Sequence, residues 1–147
     1  MRSGVMYESG LGVNKDSSKA ALWLSKAAEQ GVAPAQYDLC GLYHRGQGVP
    51  QDYRQAAVWY RKAAEQNFAL AQYALGSLWT QGRGVPQANE EAYFWFDLAA
   101  AGKMDVKMME TAAKTRDETA SHLPPADLSR VQERARKWFE GHPVKAQ

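Results

Sequence analysis

A repeat of 36 residues is the strongest constraint that this sequence places on its fold. When the chain is compared with itself at a shift of 36, two consecutive segments agree without a gap. The matching pairs include Ala35/Ala71, Gln36/Gln72, Tyr37/Tyr73, Leu39/Leu75, Leu42/Leu78, Gly46/Gly82, Gly48/Gly84, Pro50/Pro86, Trp59/Trp95 and Ala63/Ala99. The first segment shares the pattern through Tyr7, Gly10, Gly12, Val13, Asp16, Ala20 and Trp23. Such a period indicates a stack of supersecondary units that bury a continuous core together.

Each repeat begins with a predicted helix over residues 33–45. Ala35, Leu39 and Leu42 lie at i, i+4 and i+7, which is the spacing of one helical stripe. Gly46 is suited to the left-handed backbone conformation that commonly ends a helix. The sequence therefore predicts a helix and then a tight turn.

A second helix is predicted over residues 52–66. Pro50 cannot continue the first helix, and Asp52 favours an N-cap with Gln55 completing a capping box. Apolar residues, Trp59 among them, recur at helical spacing. The recurrence of the tryptophan in each repeat predicts that Trp23, Trp59 and Trp95 are core residues.

The whole chain, residues 1–147, is predicted to form one all-α solenoid domain of 36-residue two-helix repeats. The C-terminal part departs from the repeat but still predicts two helices, as expected of a cap that closes a solenoid. The predicted segments are a truncated repeat at 1–32, repeats at 33–68 and 69–104, capping helices at 105–141 and a tail at 142–147.

Composition and charge exclude several classes of function. The net charge of +2, from 18 basic and 16 acidic side chains, lacks the basic excess of a nucleic-acid-binding protein. No apolar run reaches the 18 residues of a membrane span. Residues 1–12 lack the pattern of a signal peptide. Cytoplasmic location is the default expectation, and a periplasmic or secreted location stays open if the chain is a mature form.

The residue types that carry chemistry are scattered, so we expect no enzyme activity, no metal and no cofactor. His44, His122 and His142 belong to different units and have no ligand spacing. Cys40 stands at a small-residue position, which favours a buried thiol over a nucleophile. The Gly-x-Gly pairs join helices and lack the strand of a phosphate loop.

The repeated residues resemble the Sel-one-like repeat (SLR), a relative of the tetratricopeptide repeat. The residues that carry the resemblance are Ala35, Leu39, Tyr43, Gly46, Gly48, Val49, Asp52, Ala56, Trp59, Tyr60, Ala63 and Ala64. The resemblance covers about residues 1–104, and the C-terminal part is similar to the helical cap of bacterial arrays of this family. It implies a right-handed α-α superhelix that serves as an interaction scaffold.

One face of the first helix in each repeat is the predicted binding surface. This face lies opposite the apolar stripe, and in tetratricopeptide-like arrays the corresponding face lines the concave groove. The predicted groove residues are Tyr37, Gly41, His44, Arg45, Tyr73, Ser77, Thr80 and Gln81. The tyrosines would anchor a protein or peptide and the polar residues would select it. The alternative is an ordinary solvated surface.

The leading functional prediction is a non-enzymatic scaffold or adaptor that binds a protein or peptide. One alternative is a structural module of a longer repeat protein that organises an envelope or regulatory complex, and a disfavoured one is a hydrolase. The first repeat lacks the opening turn of its first helix, because Met1 aligns with Tyr37. Its stacking face, which includes Val5, Met6, Leu22 and Trp23 in part, therefore predicts either self-association or that the chain is a piece of a longer array.

Overall fold

The structure is a computed structural model that describes residues 11–84 and 87–142, with side chains from residue 18 onward. Every regular element in these ranges is an α-helix, which confirms the predicted all-α repeat fold. The helices are α1 (Leu11–Glu29), α2 (Ala33–Arg45), α3 (Tyr53–Glu65), α4 (Ala69–Gln81), α5 (Asn89–Ala100), α6 (Val106–Ala120) and α7 (Pro125–Gly141). None of these described helices is long and apolar enough to cross a membrane.

The chain divides into two compact units, Met1–Ala63 and Ala64–Gln147. In the first unit α1 packs against α2, and Trp59 of α3 joins a core that includes Leu39 and Leu42. In the second unit α5 is central, because it packs against α4, α6 and α7. Its buried side chains include Tyr93, Phe94, Trp95, Phe96 and Leu98.

Glycines end the first helix of each full repeat, as the sequence predicts. Gly46 and Gly82 have φ values of 70° and 69°, in the left-handed region that glycine adopts without strain. Asp52 caps α3, since its Oδ1 accepts the backbone N–H groups of Arg54 and Gln55. The prediction that Gln55 completes a capping box is wrong. The backbone N–H of Asp52, which the Gln55 side chain would accept in such a box, donates to the carbonyl of Tyr43 at 3.0 Å instead.

The first described helix starts earlier than the repeat predicts. A shift of 36 from Tyr53, where α3 begins, would start α1 at residue 17, yet α1 begins at Leu11 and runs through Gly12. The residue that aligns with Pro50 is Asn14. Because proline is the residue that stops helix extension at this point of the repeat, its replacement by asparagine allows a longer helix.

A repeated glutamine ties the start of one helix to the end of the helix before it. The side-chain Nε2 of Gln36 donates to the carbonyl of Ala28 at 3.0 Å, and Nε2 of Gln72 donates to the carbonyl of Ala64 at 3.1 Å. Both glutamines are buried. The residue at the next equivalent position is Met108, which has no amide to donate. This contact is therefore made in the two full repeats and not at the equivalent position of α6.

The three repeated tryptophans differ in their burial. Trp95 is 2% exposed and Trp59 is half-buried, but Trp23 is 70% exposed, so the prediction of a core position is wrong for Trp23. Trp59 is covered by helices that precede it in the chain, α1 and α2. Within the described residues no helix pair precedes α1 to cover Trp23 in the same way.

The substitution Gln36→Met should lower the free energy of unfolding by about 1 kcal/mol, because it removes a buried hydrogen bond while keeping the side chain's size. Urea unfolding followed by circular dichroism measures this change. Gln55→Met, at an exposed glutamine of α3, is the matched control and should change the free energy by less than about 0.5 kcal/mol. Equal effects of the two substitutions on the free energy of unfolding would show that the hydrogen bond from Gln36 to Ala28 does not stabilise the fold.

Candidate functional site

All four predicted groove residues of the first unit lie on α2, and three of them line the same cavity. Tyr37 is half-buried, Gly41 is buried and Arg45 is exposed, and all three line one cavity. His44 lies elsewhere, with its ring edge-to-face against Tyr53 at a centroid distance of 5.2 Å. The structure therefore separates His44 from the other three residues.

The cavity has a volume of about 250 Å³ and is formed by residues of α1, α2 and α3. Its lining residues are Leu24, Tyr37, Asp38, Gly41, Leu42, Arg45 and Tyr60. Two leucines and two aromatic rings make most of this surface apolar, while an acid and a guanidinium add one charge of each sign. Cavities that bind small molecules usually have volumes of about 300 Å³ or more, so this one lies just below that range.

Two tyrosines form the aromatic part of the cavity. The rings of Tyr37 and Tyr60 are tilted by 51° with their centroids 5.8 Å apart, which is a favourable aromatic contact. Burial raises the pKa of the Tyr37 hydroxyl above its ordinary value, and the neighbouring Asp38 raises it further. Burial likewise raises the pKa of Tyr60. Both hydroxyls therefore keep their protons at neutral pH and remain hydrogen-bond donors.

Arg45 is held in place by a hydrogen bond to Gln47. Its Nε–H donates to Oε1 of Gln47 at 2.9 Å. Its guanidinium lies against Gly41, where a Cβ atom would come within 3.0 Å of Nη1. Among the described residues no carboxylate forms an ion pair with Arg45, and no cation forms one with Asp38.

In the second unit, the predicted groove residues are largely engaged within the protein. Tyr73 packs against Phe96 at a centroid distance of 5.3 Å, and its hydroxyl lies 3.4 Å from Oγ1 of Thr115 on α6. The Ser77 hydroxyl donates to the carbonyl of Tyr73, and the Thr80 hydroxyl to the carbonyl of Gly76. Gln81 is exposed. The aromatic pair of the first unit thus recurs here, with a hydrogen bond from the tyrosine to the cap.

The thiol of Cys40 is buried and paired. It is fully inaccessible to solvent, and Sγ donates to the carbonyl of Gln36 at 2.9 Å. Burial raises the pKa of this thiol, so the nucleophilic thiolate is disfavoured. Across residues 11–84 and 87–142, no group of three His, Cys, Asp or Glu side chains is placed to hold a metal ion.

A model of the Sel1 repeat matches residues 1–32, 33–68, 69–103 and 122–140. The chain belongs to the Sel1 repeat family. The fourth match falls on α7, within the segment predicted to form capping helices, and comparison at a shift of 36 does not reveal it. Proteins with Sel1 repeats generally act as scaffolds for protein–protein interactions.

Solved structures of two Sel1 repeat proteins are similar to this chain. A protective antigen of uropathogenic Escherichia coli with an SLR fold is 32% identical over 93% of the chain, with a TM-score of 0.80. A Sel1 repeat protein from Oxalobacter formigenes is 41% identical over 60% of the chain, with a TM-score of 0.59. The chain spans 30% and 25% of the lengths of these two proteins. No curated protein matches the chain.

Sequence reasoning missed four residues that line the cavity of this Sel1 repeat protein. They are Leu24, Asp38, Leu42 and Tyr60. Leu24 and Tyr60 lie on the helices before and after α2, so a helical wheel of α2 cannot include them. The one available signal was the aromatic ring that recurs as Tyr60 and Phe96, with a hydroxyl only in the first unit.

Proposed function

We propose that this Sel1 repeat protein is a non-enzymatic scaffold that binds a segment of another protein. The observation that carries the proposal is the open cavity of the first unit, where two aromatic rings adjoin two charges that form no ion pair with any described residue. Aromatic anchors and arginine are the residue types that contribute most to binding at protein interfaces. A buried, protonated Cys40 offers no support for covalent catalysis.

Within this proposal the predicted groove residues contribute unequally. Tyr37, Gly41 and Arg45 line the cavity, whereas Tyr73 is already packed against Phe96 and adjacent to Thr115. A partner that displaces the Tyr73 contacts would lose them as it binds. We therefore assign the main anchor to the first unit, and a supporting role to the second-unit residues Tyr73, Ser77, Thr80 and Gln81.

The proposal predicts that a partner is captured through the cavity. The intact protein is immobilised and exposed to extract of the source cells, beside the variants Arg45→Glu and Tyr37→Ala. Both variants should lose at least about 90% of a specifically captured protein, because a hot-spot side chain contributes at least about 2 kcal/mol.

Tyr53→Ala removes a tyrosine of the same unit that does not line the cavity, and it should capture as the wild type does. Circular dichroism establishes that each variant is folded. Undiminished capture by folded Arg45→Glu and Tyr37→Ala would contradict the proposal.

A second proposal concerns the apolar surface of α1. Leu22 and Trp23 are 57% and 70% exposed, although the equivalent Trp59 packs into the core of the first unit. Large exposed apolar side chains that adjoin one another are typical of interaction sites. We propose that a second copy of the chain covers Leu22 and Trp23.

Sedimentation equilibrium over a range of concentrations tests this self-association. The wild type should form dimers at high concentration, and Trp23→Lys should remain a monomer because a charge replaces the apolar contact. Val106→Lys is the matched control, since Val106 is also 70% exposed but lies on α6. A wild type that is monomeric at every concentration would overturn the proposal.

A further inference from the structure

The chemistry of the cavity indicates which segment of a partner it would accept. Its wall is apolar and aromatic, and its two charged groups, Asp38 and Arg45, lie seven residues apart on α2. The guanidinium of Arg45 lies against Gly41, about one helical turn nearer to Asp38 than the Arg45 backbone is. The cavity thus presents an apolar wall beside one negative and one positive group.

Building on the proposed scaffold function, we infer that the cavity binds a dipolar segment of a partner, in which an apolar residue is accompanied by a basic and an acidic residue. The apolar side chain packs against the rings of Tyr37 and Tyr60 where they line the cavity. The acidic residue contacts Arg45, and the basic residue contacts Asp38.

Arg45 is prepared for a carboxylate. Its Nε donates to Oε1 of Gln47, and neither Nη group donates a hydrogen bond to a described residue. Two Nη donors match the two oxygens of a carboxylate. The Arg45 guanidinium can lie against Gly41 because glycine has no side chain. A Cβ atom at this position would lie 3.0 Å from Nη1 and 3.2 Å from Nη2.

The second repeat lacks all three of the features that make this cavity dipolar. Ala74 stands where Asp38 does, Ser77 where Gly41 does and Gln81 where Arg45 does. The same helix of the repeat therefore tolerates each of these residues. They supply substitutions for the first unit that remove one feature at a time without breaking the helix: Asp38→Ala, Gly41→Ser and Arg45→Gln.

A displayed library of random heptapeptides, selected on the intact protein, tests the inference. The enriched peptides should share an apolar residue together with a basic and an acidic one. The same selection on Arg45→Gln should lose the acidic residue from the consensus, and selection on Asp38→Ala should lose the basic one. The most enriched peptide is then synthesised with a fluorophore for anisotropy measurements.

Affinity for this peptide separates the roles of the residues. Arg45→Gln should weaken binding by about tenfold or more, the loss expected for a hydrogen bond to a charged group. Gly41→Ser should also weaken binding, since its side chain displaces the guanidinium, but should not lower the melting temperature because serine favours helix more than glycine does. Arg54→Gln removes the same charge from α3, outside the cavity, and should bind as the wild type does.

Two results would overturn the inference, and they differ in what they say of the proposed function. Enriched peptides without the charge pattern, or equal affinity for the wild type and Arg45→Gln, would refute the dipolar segment while leaving peptide binding in place. A library that shows no enrichment over an uncoated support would refute both peptide binding and its proposed chemistry.

Discussion

A carbonyl oxygen shared by two donors is the contact on which each full repeat depends. The carbonyl of Ala28, near the end of α1, accepts the backbone N–H of Gly31 and the side-chain Nε2 of Gln36, both at 3.0 Å. The carbonyl of Ala64 accepts the equivalent donors from Asn67 and Gln72. Gly31 and Asn67 both adopt the left-handed conformation that turns the chain back at this point. Because a buried carbonyl requires donors, the contact fixes where the next helix begins.

The two repeats share this arrangement but differ in the side chains that fill the space beyond it. Because Gly76 has no side chain, the Phe96 ring packs directly against it, and a Cβ atom at Gly76 would lie 2.7 Å from that ring. The Tyr73 hydroxyl lies near Thr115 of α6. In the first repeat Cys40 takes the place of glycine, and its neighbour across the helix pair is Tyr60. The same backbone therefore supports a filled aromatic contact in the second unit and an open cavity in the first.

Local signals in the sequence predict the helices well, and contacts between helices poorly. The predicted range 33–45 agrees with α2 because Gly46 ends this helix by its own conformation. The early start of α1 follows from Asn14, a single departure from the repeated proline. The periodicity marked Gln36 as repeated but could not name its acceptor. The cavity escaped prediction for the same reason, since Tyr60 and Leu24 reach it from other helices and their directions depend on how the helices pack.

We propose that the main anchor for a partner is the open cavity of the first unit and not the filled aromatic contact of the second. An NMR titration of the isotopically labelled protein with a peptide selected for binding tests this directly. We expect the largest chemical-shift changes at Tyr37, Gly41 and Tyr60, and smaller changes at Tyr73 and Phe96. Changes centred on Tyr73 and Phe96, with Tyr37 and Tyr60 unaffected, would contradict it.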